Sequence, residues 1–211
     1  MNKERLIIFT RYPEPGKTKT RLIPALGAEQ AAMLQRQMTE FTLEQVRLVQ
    51  QQRPITVEVR FAGGNSKLMT NWLGYDMICK PQAEGDLGTR IGRSLSLAFG
   101  DGIDRVAVIG TDCPGLSADI ISLAFDSLQL SHDLVLGPAL DGGYYLLALR
   151  CFIPELFINI NWGTAQVLQQ TVDIAKQLNL SIAYLPQLAD VDRPEDLLVW
   201  ELREGLGALG Q

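Results

Sequence analysis

Short apolar runs rich in branched residues alternate with segments of helical period along nearly the whole chain. Nothing else in the sequence narrows its possible folds as far. The apolar runs lie at 6–9, 54–61, 75–80, 105–109, 133–136, 144–149 and 181–185, and the helical segments at 27–50, 67–73, 89–99, 119–128, 166–178 and 194–206. In the first helical segment Ala31, Leu34, Met38, Phe41, Val46 and Val49 recur mostly at three- and four-residue steps. The run Arg105-Val-Ala-Val-Ile109 is apolar without alternation, as in a strand buried on both faces. Pro194 stands at the first turn of the last helix, where its missing N–H costs nothing. This order predicts a three-layer α/β/α sandwich around a mostly parallel, mixed sheet. No repeat or linker interrupts it, so one domain is expected over residues 1–211.

In sheets of this kind ligands bind beyond the carboxyl ends of the strands, and the unusual residues of this chain fall in strand-to-helix loops. The first loop, Thr10-Arg-Tyr-Pro-Glu-Pro-Gly-Lys-Thr-Lys-Thr-Arg-Leu22, sets Arg11, Lys17, Lys19 and Arg21 against a single acid, Glu14. A glycine turn loaded with cations after a buried strand suits a polyphosphate: backbone N–H groups and Lys and Arg side chains all meet phosphate oxygens. It is not the P-loop, because Arg11 stands where that motif needs its first glycine.

Three further loops carry carboxylates or glycines. In Gly110-Thr-Asp-Cys-Pro-Gly-Leu116, Asp112 can hold a Mg²⁺ or Mn²⁺ that bridges phosphates, or can cap the following turn. In Gly137-Pro-Ala-Leu-Asp-Gly-Gly-Tyr-Tyr-Leu146, Asp141-Gly142 is a hairpin signal, yet two glycines followed by two tyrosines also let a substrate approach the backbone, with Asp141 as a base. Glu84-Gly-Asp-Leu-Gly-Thr-Arg90 admits a flat base or sugar beside its glycines and offers Arg90 to a phosphate or base, or is simply a glycine-rich approach to a helix. In Asp190-Val-Asp-Arg-Pro-Glu-Asp-Leu197, Asp192 can cap the last helix, or Asp190 or Asp192 can complete a cation site begun by Asp112.

Composition limits the partners. The net charge of −5 argues against general nucleic-acid binding. No apolar run approaches the roughly 20 residues of a membrane span, and the four-residue run before Arg11 is too short for a signal peptide. Cys79, Cys113 and Cys151 are odd in number and lack metal-ligand spacing, which predicts a reduced, cytoplasmic protein. The single His132 has no Gly-x-Ser-x-Gly elbow to serve.

Taken together, the strings FTRYPEPGKTKTRL, GDLGTR, GTDCPGL, GPALDGGYYLLAL, NWGTAQVLQQT and DVDRPEDL closely resemble the DUF2064 proteins. These are a branch of the nucleotide-diphospho-sugar transferase superfamily with the glycosyltransferase A (GT-A) fold, and they include an arsenosugar-biosynthesis-type glycosyltransferase group. The order of motifs is also similar to lactate-phosphate and molybdenum-cofactor guanylyltransferases. The resemblance spans residues 6 to about 198. It implies that Arg11, Gly16, Lys17 and Arg21 contact nucleotide phosphates, that Gly85 and Gly88 lie near the nucleobase, and that Asp112 is the first metal ligand with Asp190 or Asp192 the second. It further implies that Asp141, Gly142, Gly143 and Tyr144 face the second substrate, with Trp162 and Thr164 in a neighbouring wall. One departure stands out: many GT-A glycosyltransferases carry Asp-x-Asp at the metal position, whereas Asp112 is alone between Thr111 and Cys113.

The expectation is therefore a Mg²⁺- or Mn²⁺-dependent glycosyltransferase-like enzyme with a nucleotide diphospho-sugar donor and a small-molecule acceptor. The lone Asp112 leans instead toward a nucleotidyltransferase that joins an NTP to a phosphorylated substrate. A nucleotide-binding module without catalysis is the third possibility. In either enzyme Lys17 and Arg21 would offset developing charge, with the cation held at Asp112; in sugar transfer the acceptor hydroxyl would attack near Asp141.

Overall fold

The computed structural model describes residues 3–208, with side chains through residue 202. Seven strands form one sheet: β1 (Glu4–Arg11), β2 (Ile55–Ala62), β3 (Ile78–Pro81), β4 (Arg105–Ile109), β5 (Leu134–Pro138), β6 (Tyr144–Leu149) and β7 (Ile182–Tyr184), in the order β3-β2-β1-β4-β6-β5-β7. β1 pairs in parallel with both β2 and β4, and β7 in parallel with β5. β6 runs antiparallel between β4 and β5, which makes the sheet mixed, as expected.

Helices cover both faces. One core packs Leu6 and Ile8 of β1 and Val57 and Val59 of β2 against α2 (Ala28–Gln52), α3 (Ser66–Leu73) and α5 (Ala118–Gln129). The other packs Ile7, Val106 and Val108 against α4 (Leu87–Gly100) and α6 (Val167–Gln177). Successive β1 side chains thus enter opposite cores, and this is why its apolar run does not alternate. A third cluster, including Leu22, Leu34, Met38, Val191 and Trp200, anchors α1 (Ile23–Leu26) and α7 (Leu197–Ala208) to the amino-terminal half of α2.

Several boundaries differ from the sequence reading, two of them for clear physical reasons. β1 starts at Glu4 because that carboxylate is buried and satisfied, accepting from Arg53 Nε at 2.9 Å and from Arg105 Nη1 at 3.3 Å. β3 starts only at Ile78, since Tyr75 is 89 % exposed and the chain there still turns. The basic loop also contains more order than expected: it closes in a 3-10 turn at Thr20–Leu22 that leads directly into α1.

β1 and β4 are neighbours, yet the chain leaves β1 toward β2 on one side and leaves β4 toward β5 on the other. Their carboxyl ends therefore border the crevice where such sheets take ligands. No helix among the described residues is long and apolar enough to cross a membrane.

Candidate functional site

Beyond those strand ends lies a cleft of about 610 Å³, within the range of small-molecule sites. Arg11, Lys17, Lys19 and Arg21 line it from the first loop. Asp112, Asp141, Asp190 and Asp192 line it from three others, together with Arg90, Gly143, Tyr144, Trp162 and Thr164. Residues far apart in the chain, which the sequence could only nominate singly, are thus walls of one cavity. Gly16, Gly85, Gly88 and Gly142 do not line it. They shape the segments that do.

The basic loop is built around Thr18, which is 1 % exposed. Its hydroxyl donates to the Tyr12 carbonyl at 2.9 Å and accepts from the Glu14 amide at 3.3 Å. Gly16 takes φ +79°, the left-handed region in which a side chain would be strained. Arg11 Nη1 then donates to the Lys17 carbonyl at 3.0 Å, tying the two ends of the turn together. Lys17 itself is largely exposed and pairs with Glu14 at 2.7 Å.

Lys19 leaves this loop in the left-handed conformation, φ +48°, and its side chain is only 4 % exposed. The ammonium meets Asp112 Oδ1 at 2.7 Å, Asp192 Oδ1 at 3.2 Å and the Val191 carbonyl at 2.6 Å. Burial alone would push the ammonium down; Asp112 and Asp192 outweigh it and hold Lys19 above its ordinary value. Arg21 Nη1 pairs with the other oxygen of Asp192 at 3.0 Å. A backbone bond from the Val191 amide to the Asp112 carbonyl, 2.8 Å, holds the last loop against the central one.

These contacts settle two of the alternatives left open above. Asp112 does not cap α5; Ser117 does, accepting from the Ile120 amide. Nor does Asp192 cap the last helix: Arg193 is the capping position and Asp196 Oδ2 accepts from the amides of Asp192 and Arg193 at 3.0 and 2.8 Å. Both Asp112 and Asp192 are left free to face cations. Asp141 keeps both of its readings, since Oδ1 accepts from the Gly143 amide at 2.8 Å in a tight turn while the residue lines the cleft. Asp190 sits near Asp141 rather than in the Lys19 contact. Burial, then Asp141 and other nearby carboxylates, push its carboxyl above the ordinary range.

The donor set suits a hard cation in chemistry: two carboxylates and a carbonyl, all oxygen, converge on one positive charge. Asp112 Oδ1 is buried, and the Lys19 ammonium 2.7 Å away supplies its neighbouring charge. Among the described residues no three His, Cys, Asp or Glu side chains form a ready-made metal cluster. A divalent ion here would draw on Asp112, Asp192 and oxygens of substrate or water.

In the same cleft, Tyr144 and Trp162 stand edge to face with centroids 6.3 Å apart. Gly88, expected beside a nucleobase, instead packs under Trp162: a Cβ there would lie 2.3 Å from the indole Nε1. Gly142 similarly lets the Asp141 turn press on residue 165, where a Cβ would fall 2.3 Å from the Ala165 carbonyl oxygen.

Two cleft residues carried no signal in the sequence. Gln35, buried on α2, directs Nε2 at the hydroxyls of Thr10, Thr39 and Thr111 at 3.2–3.3 Å, fastening the ends of β1 and β4. Gln82 donates Nε2 to the carbonyls of Thr10 and Arg60 and accepts from Arg90 Nη1 at 2.9 Å, which fixes where Arg90 points. Lys19 was visible only as one cation among four.

The family model of DUF2064, "Uncharacterized protein conserved in bacteria", matches residues 45–164. A protein from Desulfovibrio desulfuricans G20, provisionally named a nucleotide-diphospho-sugar transferase, shares 35 % identity over 92 % of this chain and 84 % of its own, with a TM-score of 0.85. The chain belongs to the DUF2064 family. Its fold is shared more distantly with a CMP:2-keto-3-deoxy-manno-octonic acid synthetase solved with CTP (10 % identity, 98 % of this chain and 99 % of that one, TM-score 0.56). The 4-diphosphocytidyl-2C-methyl-D-erythritol synthase of Anaerococcus prevotii DSM 20548 gives 11 % identity, 98 % and 99 % coverage and a TM-score of 0.63. At such identities the likeness speaks for the fold alone. No curated protein matches this DUF2064 chain.

Proposed function

We propose that this transferase moves a sugar from a nucleotide diphospho-sugar to the hydroxyl of a small acceptor. The observation that carries this reading is that one cleft is lined by a cationic loop, an aromatic pair and the carboxylate of Asp141. The 35 % identical relative, named for the same class of donor, supports it. Arg11, Lys17, Lys19 and Arg21 bind the diphosphate and offset the charge that grows on it as the bond from its oxygen to the sugar carbon breaks. Asp141 accepts the proton of the attacking hydroxyl while the new glycosidic bond forms, and the nucleoside diphosphate departs. Tyr144 and Trp162 shelter the acceptor side from water. A Mg²⁺ or Mn²⁺ held by Asp112 and Asp192 would add a further positive charge at the diphosphate.

The lone Asp112, with Gly110 where an Asp-x-Asp motif would put its first acid, favours a second reading: nucleotidyl transfer. The same cations would then face a triphosphate, and pyrophosphate would leave. Product masses from a panel of NTPs and nucleotide sugars, supplied with Mn²⁺ and candidate acceptors, separate the two. Sugar transfer predicts a nucleoside diphosphate product, lost in Asp112→Ala and reduced about 10²–10⁴-fold in Asp141→Asn. Pyrophosphate as the product would replace the first reading by the second, and turnover undiminished in Asp112→Ala would defeat both.

A further inference from the structure

Among the described ion pairs, Lys19 has the least exposed cation, with a side chain 4 % accessible. Three oxygens from two stretches of the chain surround its ammonium: Asp112 Oδ1 from one, and Asp192 Oδ1 and the Val191 carbonyl from the other, at 2.7, 3.2 and 2.6 Å. To reach them the backbone adopts φ +48°, a left-handed region that is strained for a lysine. That strain is sustained by what the side chain finds. Asp112 Oδ1 in turn is buried, with the Lys19 ammonium 2.7 Å away. Three oxygens that converge on one ammonium form a cluster that a spherical cation can also fill.

We propose that Lys19 is a resident counter-ion of the Asp112–Asp192 pair, and that a divalent cation binds these carboxylates only by displacing its ammonium. The proposal rests on the reading of the cleft as a phosphate- and cation-binding site, and adds the order in which that site fills. With Lys19 seated, the two carboxylates face Lys19 and Arg21, so their charge is already balanced and a divalent ion gains little. With Lys19 withdrawn, two carboxylates share one small volume and repel each other, which favours a new cation. An entering polyphosphate offers the ammonium another anion on the same side of the cleft, so phosphate and metal should each promote the other's binding.

The test is a Mn²⁺ titration without any nucleotide, followed by the paramagnetic resonance signal of free Mn²⁺. It compares the wild-type chain, Lys19→Met, Lys19→Gln and the double variant Lys19→Met/Asp112→Asn. Lys19→Gln removes the charge while keeping a donor for the Val191 carbonyl, so a folded variant is at hand if the methionine destabilises the loop. Circular dichroism checks the fold of each. The expected result is Mn²⁺ binding at least about tenfold tighter in the single variants than in wild type, with the gain lost in the double variant. Equal, measurable Mn²⁺ affinity in wild type and both single variants would overturn the displacement while leaving a metal site in place. No Mn²⁺ binding in any variant would overturn the displacement together with the cation reading of Asp112 and Asp192.

Discussion

Two glycines one turn apart on α4 should respond in opposite ways to the same substitution. A Cβ added at Gly88 would lie 2.3 Å from Trp162 Nε1 and 2.4 Å from its Cε2, far inside contact distance, so the indole has to move. At Gly92 the nearest atom would be Phe157 Cδ2 at 3.5 Å, an ordinary van der Waals separation. Alanine in a helix gains roughly 0.5–1 kcal/mol over glycine from backbone entropy. Gly92→Ala should keep most of that gain. Gly88→Ala should lose it and more, since forcing atoms into a packed contact costs about 1–3 kcal/mol. The two variants should therefore differ by about 1–3 kcal/mol, or roughly 2–12 °C in Tm for a chain of this size. Scanning calorimetry of the two proteins at one pH measures the difference directly. Because Trp162 lines the cleft, Gly88→Ala should also weaken acceptor binding while Gly92→Ala leaves it intact. If Gly88→Ala proved as stable as Gly92→Ala, the close approach of helix and indole would not be the reason that position 88 is a glycine.

Other outcomes follow from the carboxylates and thiols around the same cleft. Asp190 has a carboxyl raised above its ordinary 3.8, so folding favours its protonated form and the charged form costs stability as pH rises through the folded value. Asp190→Asn should therefore raise Tm at pH 7, and the gain should vanish as pH falls below about 3.8, as thermal melts across that range can show. Cys113 is buried beside Asp112, and burial followed by that charge pushes its thiol far up, whereas Cys151 is exposed. A thiol reagent at pH 8 should label Cys151 in the folded protein and leave Cys113 unmodified until denaturant is added, as peptide mass mapping would establish.

The strand–helix alternation was legible because its cause is local: branched residues favour strands, and helical spacing records which face is buried. Hence the α/β architecture, the buried central strand at Arg105–Ile109 and the long helix at Ala28–Gln52 were all written in periodicity. The loops with unusual chemistry were legible as well, since charges and glycines clustered after strands have few other uses. Where each carboxylate turned was not legible. Asp112 and Asp192 each had a local role open to them as a cap, and only packing shows that Ser117 caps α5 and that Arg193 stands at the cap of the last turn, with Asp196 accepting from the Asp192 and Arg193 amides. Gly88 read as room for a ligand, and it is the indole of Trp162, 74 positions along the chain, that fills that room.

The amino-acid sequence by itself determined which residues are available and which strand ends they follow, because burial periodicity and turn chemistry act over a few neighbouring positions. The tertiary structure alone decided which of those residues meet. Lys19 from the first loop reaches Asp112 in the middle of the chain and Asp192 near its end because β1 and β4 lie side by side and a backbone bond draws Val191 onto Asp112. Electrostatic partnership depends on distance in space, and separation along the chain does not encode it.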